Sequence, residues 1–356
     1  MSAASASILN TSIFILMGFP GLDQYYPWLS IPFSSIYAMV FLGNCLVLHV
    51  IRTEPSLHQP MFYFLAMLAL TDLCMGLSTV HTVLGILWGL SQEIGLDACI
   101  SQTYFVHSLS GTESGVLLAM AFDRFTAICD PLRYTSILTN SRVSHVMGAI
   151  LMRSALSILP VIIRLKFFHY CRPHILSHSF CLHQDLLRLA CSDIRFNSFY
   201  ALALVICILL LDAVLILISY VFILHTVLAI ASREERLKSL QTCVSHILDS
   251  LGILLSYAFI LHSVVGIASQ RGKLKALNTC ASHICAVLIL YVPMIGLSLV
   301  HRFAKHSSPL VHITMANIYL LVPPVLNPII YGIKTKQIRQ GFLRILAPKR
   351  VGLAYT

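Results

Sequence analysis

The sequence predicts an all-α membrane protein: a seven-transmembrane helix bundle, an interfacial helix after the last span, and an extra helical insertion on its inner side. Three observations carry that prediction. Residues are 57% hydrophobic and 11% charged, with a mean hydropathy of +0.83, whereas a soluble domain carries about 25% charged residues. Crossing the hydrocarbon core takes about 20 apolar residues, and runs of that length recur near 28–51, 60–88, 98–129, 142–163, 196–231, 279–301 and 310–333. Finally, 16 of the 24 Lys and Arg fall in segments that this threading puts on one side, seven on the other, and Arg153 within a span. Such a bias marks the inner side and places the N-terminus outside. The net charge of +10 thus follows topology, and a nucleic-acid partner is not expected.

The first segment, 1–27, is an extracellular tail without Lys or Arg. It has no apolar stretch ending in a small-residue cleavage site, so the first span is expected to act as the anchor. Asn10-Thr11-Ser12 is a glycosylation sequon, usable only if this tail is lumenal. Residues 28–335 form the membrane domain and 336–356 a cytoplasmic amphipathic helix and tail.

Within the domain, the first run carries Gly43-Asn44 and the second LALTDL (68–73), which puts Asn44 and Asp72 at mid-membrane. The third run holds a further acid, Glu113, and closes with MAFDRFTAICDPLRY (120–134). A charge pair is costly in hydrocarbon, so Asp123 and Arg124 are expected where this helix leaves the membrane, with Asp123 holding Arg124. Asp72 and Glu113, in low dielectric, must be protonated, paired or bound to a cation. The sixth run, from Lys275 to Phe303, has Tyr291 and Pro293 near its middle and ends in His301-Arg302-Phe303. The seventh contains PPVLNPIIY (323–331); a proline mid-span frees a carbonyl and permits a kink. In KTKQIRQGFLRIL (334–346), Ile338, Phe342 and Leu346 recur at helical spacing among basic residues, which predicts a helix lying in the interface.

Between the fifth and sixth runs the chain repeats itself. Asp212–Ile247 and Asp249–Ile284 align without gaps at a spacing of 37 residues, with about 21 of 36 pairs identical. Two copies are too few for a solenoid. A weaker apolar run near 247–268 lies in the second copy; if it crossed the membrane, the last two spans would invert and the basic tail would face outside. An eight-span chain is the competing reading. Residues from about 232 to 270 are therefore expected to form an intracellular or interfacial insertion.

These motifs identify the chain as similar to the olfactory receptors, a branch of the rhodopsin-like G-protein-coupled receptors. MAFDRFTAICDPLRY resembles their MAYDRYVAICxPLRY, with Phe122, Phe125 and Thr126 replacing two tyrosines and a valine. HQPMFYFL (58–65), LALTDL, KALNTCASHICAVLILYVPMIG and PPVLNPIIY fit as well, though Leu290 stands where the family usually has Phe. LSHSFCLHQD (176–185) and His301-Arg302-Phe303 resemble the class I, fish-like branch and its family 51 group. The family has one copy of the segment repeated here.

The resemblance implies a plasma-membrane odorant receptor that couples a small organic ligand to a stimulatory G protein and cAMP. It implies switch roles for Asp123, Arg124, Tyr291, Asn327, Pro328 and Tyr331, and a cation or water pocket at Asn44, Asp72 and Glu113 that could take a sodium ion. Four of the eleven cysteines lie outside, where disulfides persist. The resemblance selects Cys99–Cys181 and Cys171–Cys191 from their three pairings. His107, Gln184, Ser298 and Arg302 fit the family's pocket wall. Arg302 can grip a carboxylate through two parallel hydrogen bonds, so a carboxylic acid is the expected ligand; the alternative is that Arg302 snorkels to water or pairs with Asp185.

No catalytic constellation is present, and an enzyme is not expected. His174, His178, Cys181 and His183 cluster in the second outer loop, but the disulfide takes the thiolate a soft metal would need. Apart from the sodium ion no cofactor is expected, and lipid is the remaining partner. Two further readings stay open: a receptor-like chain whose coupling the duplication impairs, and a transporter or channel. A transporter would show inverted repeats of whole helix groups; this repeat is direct and short.

Overall fold

The computed structural model describes residues 13–230, 286–297, 309–334 and 336–346. Seven helices form the bundle: α1 (Tyr26–Thr53), α2 (Pro60–Leu87), α3 (Leu96–Cys129), α4 (Asn140–Lys166), α5 (Arg195–Ile230), α6 (described over Ala286–Leu297) and α7 (Pro309–Lys334). An eighth, α8 (Lys336–Leu346), follows at once. Five of the seven are long and apolar enough to cross a membrane. The 34-residue α3 is more polar, and Gln102, Thr103, Ser108, Ser110, Thr112, Glu113 and Ser114 are buried in it. It packs on α2, α4 and α5, so those groups meet protein instead of hydrocarbon, as backbone and side-chain polarity at this depth requires. Asn10, Ser298, Arg302 and the insertion expected at about 232–270 lie outside the described residues.

Local chemistry explains the helix ends. Proline stands in the first turn of both α1 and α2, where its missing N–H costs nothing. Thr139 caps α4 by accepting from the Arg142 N–H at 3.4 Å. The α8 helix turns its apolar side to the bundle, with Ile338 fully buried. There Gly341 lies so close to Val50 that a Cβ would fall 2.5 Å from its Cγ1.

One end of the bundle is capped by a small sheet. Strand β1 (Ile13–Leu16) lies between β2 (Glu93–Gly95) and β3 (Ile175–Leu176), antiparallel to the first and parallel to the second. Phe14 and Leu16 point inward and are buried, while Ile13 and Ile15 face out, the period of two that a half-covered strand shows. After the strand, Gly18 takes φ 64°. A side chain there would be strained and would also meet the Tyr26 hydroxyl, which accepts from the Phe19 N–H.

Candidate functional site

Three polar constellations lie along the bundle axis. At the end opposite the sheet, Asp123 is fully buried and accepts from its neighbour Arg124, whose Nε is 2.9 Å away. It also accepts from the Tyr134 hydroxyl at 2.8 Å. Burial and the adjacent carboxylate push the Tyr134 hydroxyl above its ordinary range, so it stays a donor. Arg124 is thereby held along its own helix, its side chain one-fifth exposed.

Midway, α7 carries Pro328, which cannot donate to the carbonyl four residues back. That carbonyl belongs to Pro324, and Asn44 of α1 donates to it at 3.0 Å. The carbonyl that the proline frees thus meets the polar residue of the first span. One turn away, Asn327 donates to both oxygens of the buried Asp72, at 3.1 and 3.3 Å. Glu113 lies beside the same carboxyl, while its Oε1 has no hydrogen-bond partner among the described residues. Tyr331 is buried against Met120.

The next constellation escaped the sequence reading. Arg153 of α4 grips Asp212 of α5 with both terminal nitrogens, at 2.9 and 3.0 Å. Asp212 also accepts from Ser114 of α3 at 2.5 Å, and Ser114 lies 2.8 Å from the Tyr291 hydroxyl of α6. Four helices meet in this chain of contacts. A signal was available: Arg153 and Asp212 are opposite charges in two predicted spans, and intramembrane charges pair. Tyr291 therefore joins Arg153 and Asp212, whereas Asp123, Arg124, Asn327 and Tyr331 sit nearer the other end.

Toward the sheet, Cys99 and Cys181 are joined, as are Cys171 and Cys191. The Cys181 N–H donates to Gln102 at 2.7 Å, and Gln102 donates on to the Ser78 carbonyl. This seats the α4–α5 loop against α2 and α3. A short helix in that loop, His183–Leu189, puts His183 beside Asn197 of α5, ring Nε2 to amide 3.3 Å. Burial, with His107 nearby, pushes the His183 imidazole down to about 3. The His107 Nε2 and the Gln184 Oε1 are buried with no hydrogen-bond partner among the described residues. Two expected pocket residues thus present polar atoms with no hydrogen-bond partner among the described residues at this end; the other two, Ser298 and Arg302, lie outside the described residues. Asp185, considered above as a partner for Arg302, is engaged by His178.

Known proteins agree with this architecture. The olfactory receptor family model matches residues 33–249 and again 247–349, with the break between the two copies of the repeat. Human olfactory receptor 51V1 is 61% identical over 98% of both chains, and human olfactory receptor 51L1 is 51% identical over 95% of this chain and 96% of that one. The crystal structure of squid rhodopsin superposes with a TM-score of 0.66 at 16% identity, covering 91% of this chain and 86% of that chain, which speaks for the fold. The chain belongs to the olfactory receptor family: a multi-pass seven-helix odorant receptor of the G-protein-coupled class, related to the family 51 members, and not an enzyme.

Proposed function

We propose that this receptor responds to small or medium carboxylic acids at the plasma membrane and activates a stimulatory G protein, raising cAMP. The sheet-capped end faces outside and the Arg124 end meets the G protein. The observation that carries the ligand-site reading is a pair of buried polar atoms on separate elements, His107 Nε2 and Gln184 Oε1, that have no hydrogen-bond partner among the described residues. Buried polar groups are almost always hydrogen-bonded, and a ligand's polar end would satisfy both. Arg302 and Ser298, one helical turn apart in sequence, supply the fork and hydroxyl for the carboxylate. Asp72 and Glu113 hold a shared proton or a sodium ion between them, and Asn327, Pro328 and Tyr331 form the hinge that moves when α6 swings.

A second reading is a receptor impaired by its repeated segment. It is favoured by α5, which runs unbroken into the first copy as far as Ile230, so one of two near-identical copies already ends the fifth span and the sequence from about 232 to 270 is surplus to a seven-span chain.

A cAMP reporter in cells expressing the full chain, Arg302→Ala, Arg302→Lys or a chain lacking residues 232–268 tests both, with surface expression matched. Losing the bidentate contact should cost about 1.5–3 kcal/mol, a potency drop of at least tenfold, and Lys should restore little because it lacks the fork. Equal responses of Arg302→Ala and the parent to acids would refute the acid reading. A response that appears only after the deletion would favour impairment.

A further inference from the structure

The loop helix His183–Leu189 is held from two opposite sides. His183 and Asp185 are two positions apart, about 200° around a helix, so their side chains leave in opposing directions. On the bundle side His183 meets Asn197 and the neighbourhood of His107. On the far side Asp185, 2% exposed, is bound by the Nδ1 of His178, which is fully buried. His178 precedes Cys181 and Asp185 follows it, so the pair straddles the disulfide to α3.

Apolar packing does not complete that far side. A cavity of about 270 Å³ borders Asp185, walled by Ile175 and Leu189 and rimmed by the exposed guanidinium groups of Arg172 and Arg188. Asp185 Oδ1 has no hydrogen-bond partner among the described residues. Without His178 the carboxylate would be left buried and uncompensated, a state that side chains escape by moving. The cavity leaves room for such a movement, toward the two arginines on its rim. A turn of the helix in that direction would carry His183 and Gln184 away from the bundle by the same angle.

We propose that the His178–Asp185 pair is a positioning latch: it sets the rotation of the loop helix and so aims His183 and Gln184 into the ligand site without touching the ligand. This rests on the ligand-site reading above. The latch explains why a buried acid and a buried imidazole sit in a loop that a purely apolar plug could have filled.

The test compares the full-length receptor with His178→Phe, Asp185→Asn and the exchange His178→Asp with Asp185→His. Two readouts are taken: amide hydrogen exchange over residues 182–189 in the purified receptor, and potency across saturated carboxylic acids of four to ten carbons. Each single variant should speed exchange in the helix at least tenfold and weaken potency at least fivefold with the maximal response kept. The exchanged pair should recover most of both. Unchanged exchange in the single variants, or an exchanged pair no better than they are, would overturn the latch. If no acid activates the parent chain, the acid reading falls while hydrogen exchange still decides the latch. If a single variant fails to reach the surface, recovery of surface expression by the exchanged pair supports the latch and continued failure overturns it.

Discussion

Replacing Asp212 by Leu strips Arg153 of both its ion-pair contacts while leaving its guanidinium inside the bundle. The acid is fully buried and the arginine side chain one-third exposed. Removing one partner of a buried pair costs about 3–5 kcal/mol, because the survivor is left uncompensated. The open third of the arginine lowers that to about 2–4 kcal/mol, and Ser114 loses its acceptor for about 1 kcal/mol more. Substituting both, Arg153→Met with Asp212→Leu, leaves no stranded charge and should cost less than Asp212→Leu alone. The double-mutant cycle, measured by denaturant unfolding of the purified receptor in mixed micelles, should therefore show a coupling of about 2 kcal/mol. Independent sites add to within about 0.5 kcal/mol; additivity at that level would mean that the pair does not hold α4 to α5, and the reasoning would fail.

Two further outcomes are expected. A Cβ on Gly115 would lie 2.7 Å from Ile150 and 3.0 Å from Arg153, so Gly115→Ala should push α4 away and destabilise by about 1–3 kcal/mol. Gly148→Ala in α4 meets nothing within 4 Å and should be neutral or stabilising by up to about 1 kcal/mol; similar melting of the two variants would contradict the packing. His183, held near 3 when folded, regains an ordinary imidazole near 6.5 on unfolding. The unfolded chain then binds the extra proton, so stability rises with pH between those values and falls on acidification. From pH 7 to pH 5 the loss should be about 2 kcal/mol, and His183→Asn should remove that part of the pH dependence in paired unfolding curves.

Much of the bundle was legible because its information is local. Every described span lies where an apolar run was expected, and Pro328, Asn327 and Asp72 could be placed by motif. Partnerships were less accessible. Asn44 closes the gap that Pro328 opens at Pro324, 280 residues away along the chain, and nothing in either segment states that they face each other. Arg153 and Asp212 were each visible as intramembrane charges, but composition does not fix helix rotation, so their pairing had to come from the structure. In the α4–α5 loop, nothing in the order of the histidines states that His178 meets a carboxylate seven residues on. Strand β1 was missed for a similar reason. Four residues, Ile13–Leu16, carry too short an alternation to stand out, and their partners belong to distant loops.

That strand also imposes an order on biosynthesis. Ile15 pairs with Glu93 and with Ile175, so the segment made first needs a neighbour that leaves the ribosome 160 residues later. Translation proceeds at about 5–20 residues per second, so β1 waits at least several seconds while four helices are threaded, with its N–H and C=O groups meeting water in the meantime. Closing so long a loop is slow compared with local folding. The sheet is thus among the last parts of its end of the molecule to form.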